Sequence, residues 1–132
     1  MGFEELPHTA DCALRVWAPS LGSLFVEAAL GLNSVAGAEI GSGARVTRRI
    51  SLHGADSESL LVAFLTELIY FQEQEDLGFD QFGIEISNQH LSGTLEGARL
   101  LSLSKPVKAA TFHNLMIRQT KRGQETEVVF DV

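Results

Sequence analysis

The sequence predicts an α+β fold: a two-layer domain in which two main helices pack on one face of a mixed, largely antiparallel sheet. Two stretches in the first half place apolar residues at helical spacing, and period-2 alternation gathers in the second half as hairpins. No internal repeat is present. A chain of 132 residues suits one domain spanning 1–132, long enough to bury roughly two thirds of its unfolded surface.

Taken in order, Ala13 to Ala18 alternates Leu14 and Val16 with small or charged residues, contains Trp17, and ends in the turn-prone Ala18-Pro19-Ser20; it predicts the first strand. Leu21, Leu24, Phe25, Ala28 and Leu32 then recur on one helical face, with Ser20 as N-cap. Residues 36–44, rich in glycine, predict a surface loop. Val46, Ile50 and Leu52 share one parity of a half-buried strand. Asp56 or Ser57 caps a second helix whose stripe of Leu60, Leu61, Phe64, Leu65, Leu68 and Phe71 is broad enough for the central core. Phe82, Ile84 and Ile86 predict a strand joined through Asn88-Gln89 to a second at Leu91 to Leu95. The β-rich stretch from Val107 to Gln119 reads as one long strand. A turn at Lys121-Arg122-Gly123 leads into a last strand, Glu127 to Val132, in which Val128, Phe130 and Val132 alternate with Glu127, Val129 and Asp131.

Ten Lys and Arg stand against 17 Asp and Glu, a net charge of −7 that repels a polyphosphate backbone, so any nucleic-acid role is expected to be indirect. The basic groups Arg45, Arg48 and Arg49, then Lys105 and Lys108, then Arg118, Lys121 and Arg122, read as solvated strand faces or as a local patch. Cys12, the one cysteine, excludes an internal disulfide and a cysteine-based zinc cage and suits a reducing compartment, with the cytoplasm expected. The N-terminus lacks the pattern of a secretory signal, Leu6 breaks a myristoylation motif, and the apolar run from Leu60 to Phe71 is too short to span a bilayer. No membrane association is expected.

The segment His8-Thr9-Ala10-Asp11-Cys12 is the densest polar cluster near the N-terminus. Cys12 with His8 as base would make a nucleophile only if the fold oriented the pair, and a buried, inert thiol is the commoner fate. Asp11 offers carboxylate oxygens to a hard cation, which needs six or more oxygens and so needs partners from elsewhere. Asp131 and the terminal carboxylate of Val132 are the candidates; three carboxylates gathered together repel one another unless a cation neutralises them. The plain alternative has Asp11 capping a turn and Asp131 exposed on a strand. Lys108 and His113 fall on opposite faces of a regular strand, and Glu67 sits among apolar neighbours of the second helix, facing either solvent or a partner. Phosphate-binding glycine loops, zinc-protease helices and calcium-loop motifs are absent from the sequence.

Four blocks carry a resemblance: Phe3-Glu4-Glu5-Leu6-Pro7-His8-Thr9-Ala10-Asp11 with Arg15-Val16-Trp17 and the helix after Ser20; Leu60-Leu61 through Leu65-Thr66-Glu67-Leu68-Ile69-Tyr70; Val107-Lys108-Ala109-Ala110-Thr111-Phe112-His113; and Val129-Phe130-Asp131-Val132. In this order and spacing the chain resembles the archease family nearly end to end. The resemblance implies a non-catalytic, cytosolic accessory protein that activates an RtcB-type RNA ligase, which seals 3′-phosphate or 2′,3′-cyclic phosphate ends in tRNA splicing. It implies that the protein promotes guanylylation and multiple turnover of the ligase while meeting RNA only indirectly. It also implies a divalent metal, calcium first and magnesium or manganese next, on Asp11, Asp131 and Val132, with His8, Glu67, Lys108 and His113 serving partner activation. Phe64 and Thr66 depart from the family's usual Trp and Asn, and Phe112 from its Tyr. Two other classes compete: a chaperone-like binding module without a metal, and a metal-dependent hydrolase using Asp11, His8 and a bound water.

Overall fold

The structure, a computed structural model, describes residues 1–6 and 11–132. In chain order the elements are β1 (Gly2–Leu6), β2 (Cys12–Ala18), α1 (Leu21–Ala36), β3 (Ala38–Ile40), β4 (Val46–His53), α2 (Ser57–Gln74), β5 (Leu77–Ser87), β6 (His90–Leu103), β7 (Ala109–Thr111), β8 (Arg118–Thr120) and β9 (Gly123–Asp131).

Both helices begin where a side chain satisfies their orphan amides. Ser20 accepts from the Ser23 amide at 3.2 Å while Ser23 Oγ accepts from the Ser20 amide at 3.1 Å, a reciprocal cap at the head of α1. Asp56 accepts from the Ser59 amide at 2.7 Å and heads α2. Helix α1 runs on to Ala36 and stops at Gly37, whose φ of 60° is the left-handed conformation that glycine adopts without strain. The apolar stripes read from the sequence face each other, with the Phe25 and Phe64 rings stacked at 5.8 Å.

The strands divide into two sheets. The first has the order β1-β2-β9-β7, with β8 also pairing β9; in the second, β6 is flanked by β3, β4 and β5. Every described pairing is antiparallel. The α+β class and its two main helices therefore stand as expected, and the mixed single sheet resolves into two antiparallel ones. Asn88 and Gln89, at φ 52° and 56°, form the tight turn expected between β5 and β6.

Helix α1 packs against β2 and β5, and α2 against β5 and β7, so the helices join the two sheets. One hydrophobic cluster includes Leu14, Val16, Val128 and Phe130 from the first sheet, Leu91 and Leu95 from the second, and Leu24, Phe25, Phe64 and Leu65 from the helices. In the first sheet Leu14, Val16, Val128 and Phe130 share one face by the period-2 rule. Ala13, Arg15, Trp17, Glu125, Glu127, Val129 and Asp131 fall on the other. No described helix is long and apolar enough to cross a membrane.

Three details depart from the sequence reading. The long strand expected over 107–119 is two short ones, β7 and β8, because β9 offers its edge only to residues 109–111 and 118–120. Strands β1 and β3 were not anticipated, and β3 occupies part of the expected 36–44 loop. Strand β6 extends well beyond Leu95, since it must serve β3 as well as β4 and β5.

Candidate metal centre at the end of the first ladder

The antiparallel register of β2 and β9 sets Cys12 against Phe130, Ala13 against Val129 and Arg15 against Glu127. Asp11 and Asp131 are the next residues beyond the Cys12–Phe130 pair, Asp11 in a bend before β2 and Asp131 at the end of β9. Directly opposed residues of an antiparallel pair share a face, with Cβ atoms about 5 Å apart, so two carboxylates that continued the ladder could reach one ion. Residues far apart in sequence meet here because both lie at the same end of one ladder.

On its other edge β9 meets β7, with Asp131 opposite Ala109, and the Lys108 amide donates to the Asp131 carbonyl at 2.8 Å. Lys108 is thus brought to the corner by its main chain, with its side chain exposed. Val132 packs its half-buried side chain against the core, which anchors the main-chain oxygens that follow Asp131. Asp11 is half-buried and Asp131 exposed.

These donors are all oxygens, the set that suits a hard cation such as calcium, magnesium or manganese. Among the described residues no three His, Cys, Asp or Glu side chains form a metal-binding group. The two aspartates therefore fit a metal only with further oxygens, such as those of Val132. His8 lies outside the described residues. Glu67 is half-buried midway along α2, and its side chain makes no hydrogen bond or ion pair among the described residues. His113 lies beyond β7, exposed, with its ring 3.3 Å from the Asn114 amide nitrogen, and its amide donates to Thr111 Oγ1 at 3.3 Å. Thr111 is paired with Val129, so His113 is carried away from Asp131. Cys12 is half-buried against the core on the helix side.

A depression of about 500 Å3 opens beside the 112–117 excursion that links β7 to β8. Arg15, Phe112, Asn114, Arg118, Glu125 and Glu127 line it. Its opposed pair Arg15 and Glu127 is separated from the Asp11–Asp131 end by the Ala13–Val129 pair. The outward parity of Arg15 and Glu127 was legible in the sequence, but the excursion that completes the wall was read as strand. Arg122 and Thr120 each donate to Glu125 at 2.8 Å, and these bonds, Arg122 first, hold its carboxyl below the ordinary value.

Together these features define a class: a small α+β protein in which β2 and β9 pair within one antiparallel sheet, with Asp11 and Asp131 at the end of their ladder. The model of the Archease protein family (MTH1598/TM1083) matches residues 3–132, and the chain belongs to this family. It is 30% identical over 140 residues to the protein archease of Methanosarcina mazei, covering 98% of this chain and 95% of that one. It is 33% identical over 142 residues to the protein archease of Saccharolobus islandicus strain M.14.25, with 98% of each chain covered. A crystal structure described as an archease and possible chaperone, from Thermotoga maritima, superposes with a TM-score of 0.71 at 19% identity, covering 98% of this chain and 96% of that one, which shows a shared fold.

Proposed function

We propose that this protein is a cytoplasmic, non-catalytic accessory factor that activates an RtcB-type 3′-phosphate RNA ligase in tRNA splicing or RNA repair. It promotes the ligase's guanylylation and multiple turnover. The observation that supports this reading is the β2–β9 ladder, which ends at the Cys12–Phe130 pair and so leaves Asp11 and Asp131, two of the metal ligands implied by family resemblance, at the same ladder end. Asp11, Asp131 and the main-chain oxygens of Val132 would hold the cation, calcium in the first instance. Such a cation would supply positive charge that neutralises the two carboxylates. The Lys108 amide, by bonding the Asp131 carbonyl, fixes the strand end that presents the carboxylate. A net charge of −7 favours encounter with a basic, RNA-handling protein, since complementary potentials steer association.

The test is ligase guanylylation and turnover with and without this protein. Stimulation by the native chain, lost in Asp11→Ala and Asp131→Ala, is expected; no stimulation, or full stimulation by both variants, overturns the reading. A second reading, a chaperone-like module without a metal, draws on the exposed Phe112, Met116, Tyr70 and Leu101. It predicts suppression of aggregation of unrelated clients that is unchanged by chelator.

A further inference from the structure

We propose that the depression beside the 112–117 excursion binds a nucleoside phosphate, with the base against Phe112 and the phosphate on Arg118 and Arg15. The excursion is a fixed wall. Thr111 Oγ1 donates to the Val129 carbonyl at 2.9 Å at one end, and the buried Thr126 donates to the Met116 carbonyl at 3.0 Å near the other. The Ile117 amide donates to Glu58 at 3.0 Å, and Leu115 and Ile117 pack on the core. Against this anchoring, Phe112 is 59% exposed and Met116 53% exposed. A rigid loop that holds an aromatic ring out in solvent beside a depression is built for a planar ligand, because a base can stack on such a face.

The charges beside the ring suit a phosphate. Among the described residues Arg118 has no acidic partner; its Nε donates to the Met116 sulfur at 3.3 Å. Arg15 approaches Glu125 only to 3.9 Å, whereas Arg122 holds that carboxylate at 2.8 Å. The Glu125 charge is therefore answered by Arg122, Arg15 stands between its cross-strand partners Glu4 and Glu127, and Arg118 is a guanidinium with no ion pair among the described residues. Planar guanidinium forks match phosphate oxygens, and the Asn114 amide offers both donor and acceptor to a base edge. The volume of about 500 Å3 is that of a small-molecule site.

Trp17, the only tryptophan, is opposite Glu125 on the same face and serves as reporter. In chelator, which separates this site from the proposed metal corner, Trp17 emission is followed while AMP, GMP or UMP is titrated, with adenosine and inorganic phosphate as controls. Saturable binding of the nucleotides is expected, with adenosine and phosphate each weaker by about tenfold or more. Arg118→Ala should weaken nucleotide binding by about tenfold, and Phe112→Ala should weaken nucleotides but not inorganic phosphate. Absence of saturable binding, phosphate binding as tightly as AMP, or an unchanged affinity in folded Arg118→Ala overturns the proposal. Loss of ligase activation with nucleotide binding intact leaves this site standing and removes only the metal reading.

Discussion

The guanidinium of Arg122 lies 3.8 Å over the Trp17 ring while it donates to Glu125. The three meet because Trp17 is opposite Glu125 in the β2–β9 ladder and the turn at Lys121-Arg122-Gly123 folds back across it. Arg122 stays charged, so the pair titrates through Glu125, whose carboxyl is held below its ordinary value of 4.5 first by Arg122 and then by Thr120. A carboxyl depressed in the folded state adds stability that is fully present above that ordinary value and is lost as pH falls through the folded-state pKa. Trp17 emission should therefore hold steady from neutral pH down to the ordinary carboxylate range and change only below it. Glu125→Gln should remove that step, with far-UV circular dichroism reporting any wider unfolding.

Core and surface aromatics should respond differently to truncation. Phe130 is fully buried and faces the helices, so Phe130→Ala should cost about 3–5 kcal/mol and lower the denaturant midpoint sharply. Phe112 is exposed, and Phe112→Ala should stay within about 0.5 kcal/mol of the native chain. Guanidinium unfolding of both variants measures the contrast, and a large loss for Phe112→Ala would mean that the excursion depends on that ring.

Local signals were legible where the chain satisfies its own neighbours. Ser20 and Asp56 cap helices within three residues, and Asn88-Gln89 closes a turn of two, so sequence alone located Ser20 and the turn and narrowed the second cap to Asp56 or Ser57. Strand ends depend on what lies alongside. The stretch 107–119 has β propensity throughout, yet only its ends reach β9, and Asn114 turns at φ 53° between them. Gly2–Leu6 shows little propensity and becomes a strand by pairing with β2. At the candidate site, parity put Asp131 on the polar side of its strand, but nothing local to either aspartate reveals that they share one ladder end. Sequence reading could offer Asp131 as a partner for Asp11 only as one of two open alternatives, and family resemblance was needed to favour it.

Two glycines should answer an alanine substitution with opposite signs. A Cβ on Gly97 would lie 2.7 Å from Phe79 Cα and also collide with the Gly78 carbonyl, both main-chain atoms of the paired strand that have no side-chain torsion to relieve them. Gly97→Ala should destabilise by about 1–3 kcal/mol. Gly22 lies in the first turn of α1 with nothing within 4 Å of the added carbon, so Gly22→Ala should stabilise by about 0.5 kcal/mol through helix propensity. Thermal unfolding of the two variants beside the native chain checks both signs.

A cation held between Asp11 and Asp131 would stabilise the folded chain, because the ladder end that brings the two residues together exists only when β2 and β9 are paired. Calcium at about a hundred times its dissociation constant should add about 2.7 kcal/mol and raise Tm by several degrees, and chelator should return it to the starting value. Asp11→Asn and Asp131→Asn are the informative changes, since the amide keeps shape and a carbonyl oxygen while removing the negative charge that a hard cation needs. Each should abolish the calcium shift, read against that variant's own Tm in chelator. If both keep the full shift, calcium binds elsewhere on the surface and the ladder end is an ordinary strand terminus. If only Asp131→Asn loses it, the ion sits beside β9 without Asp11, and the aspartate pair is not its cage.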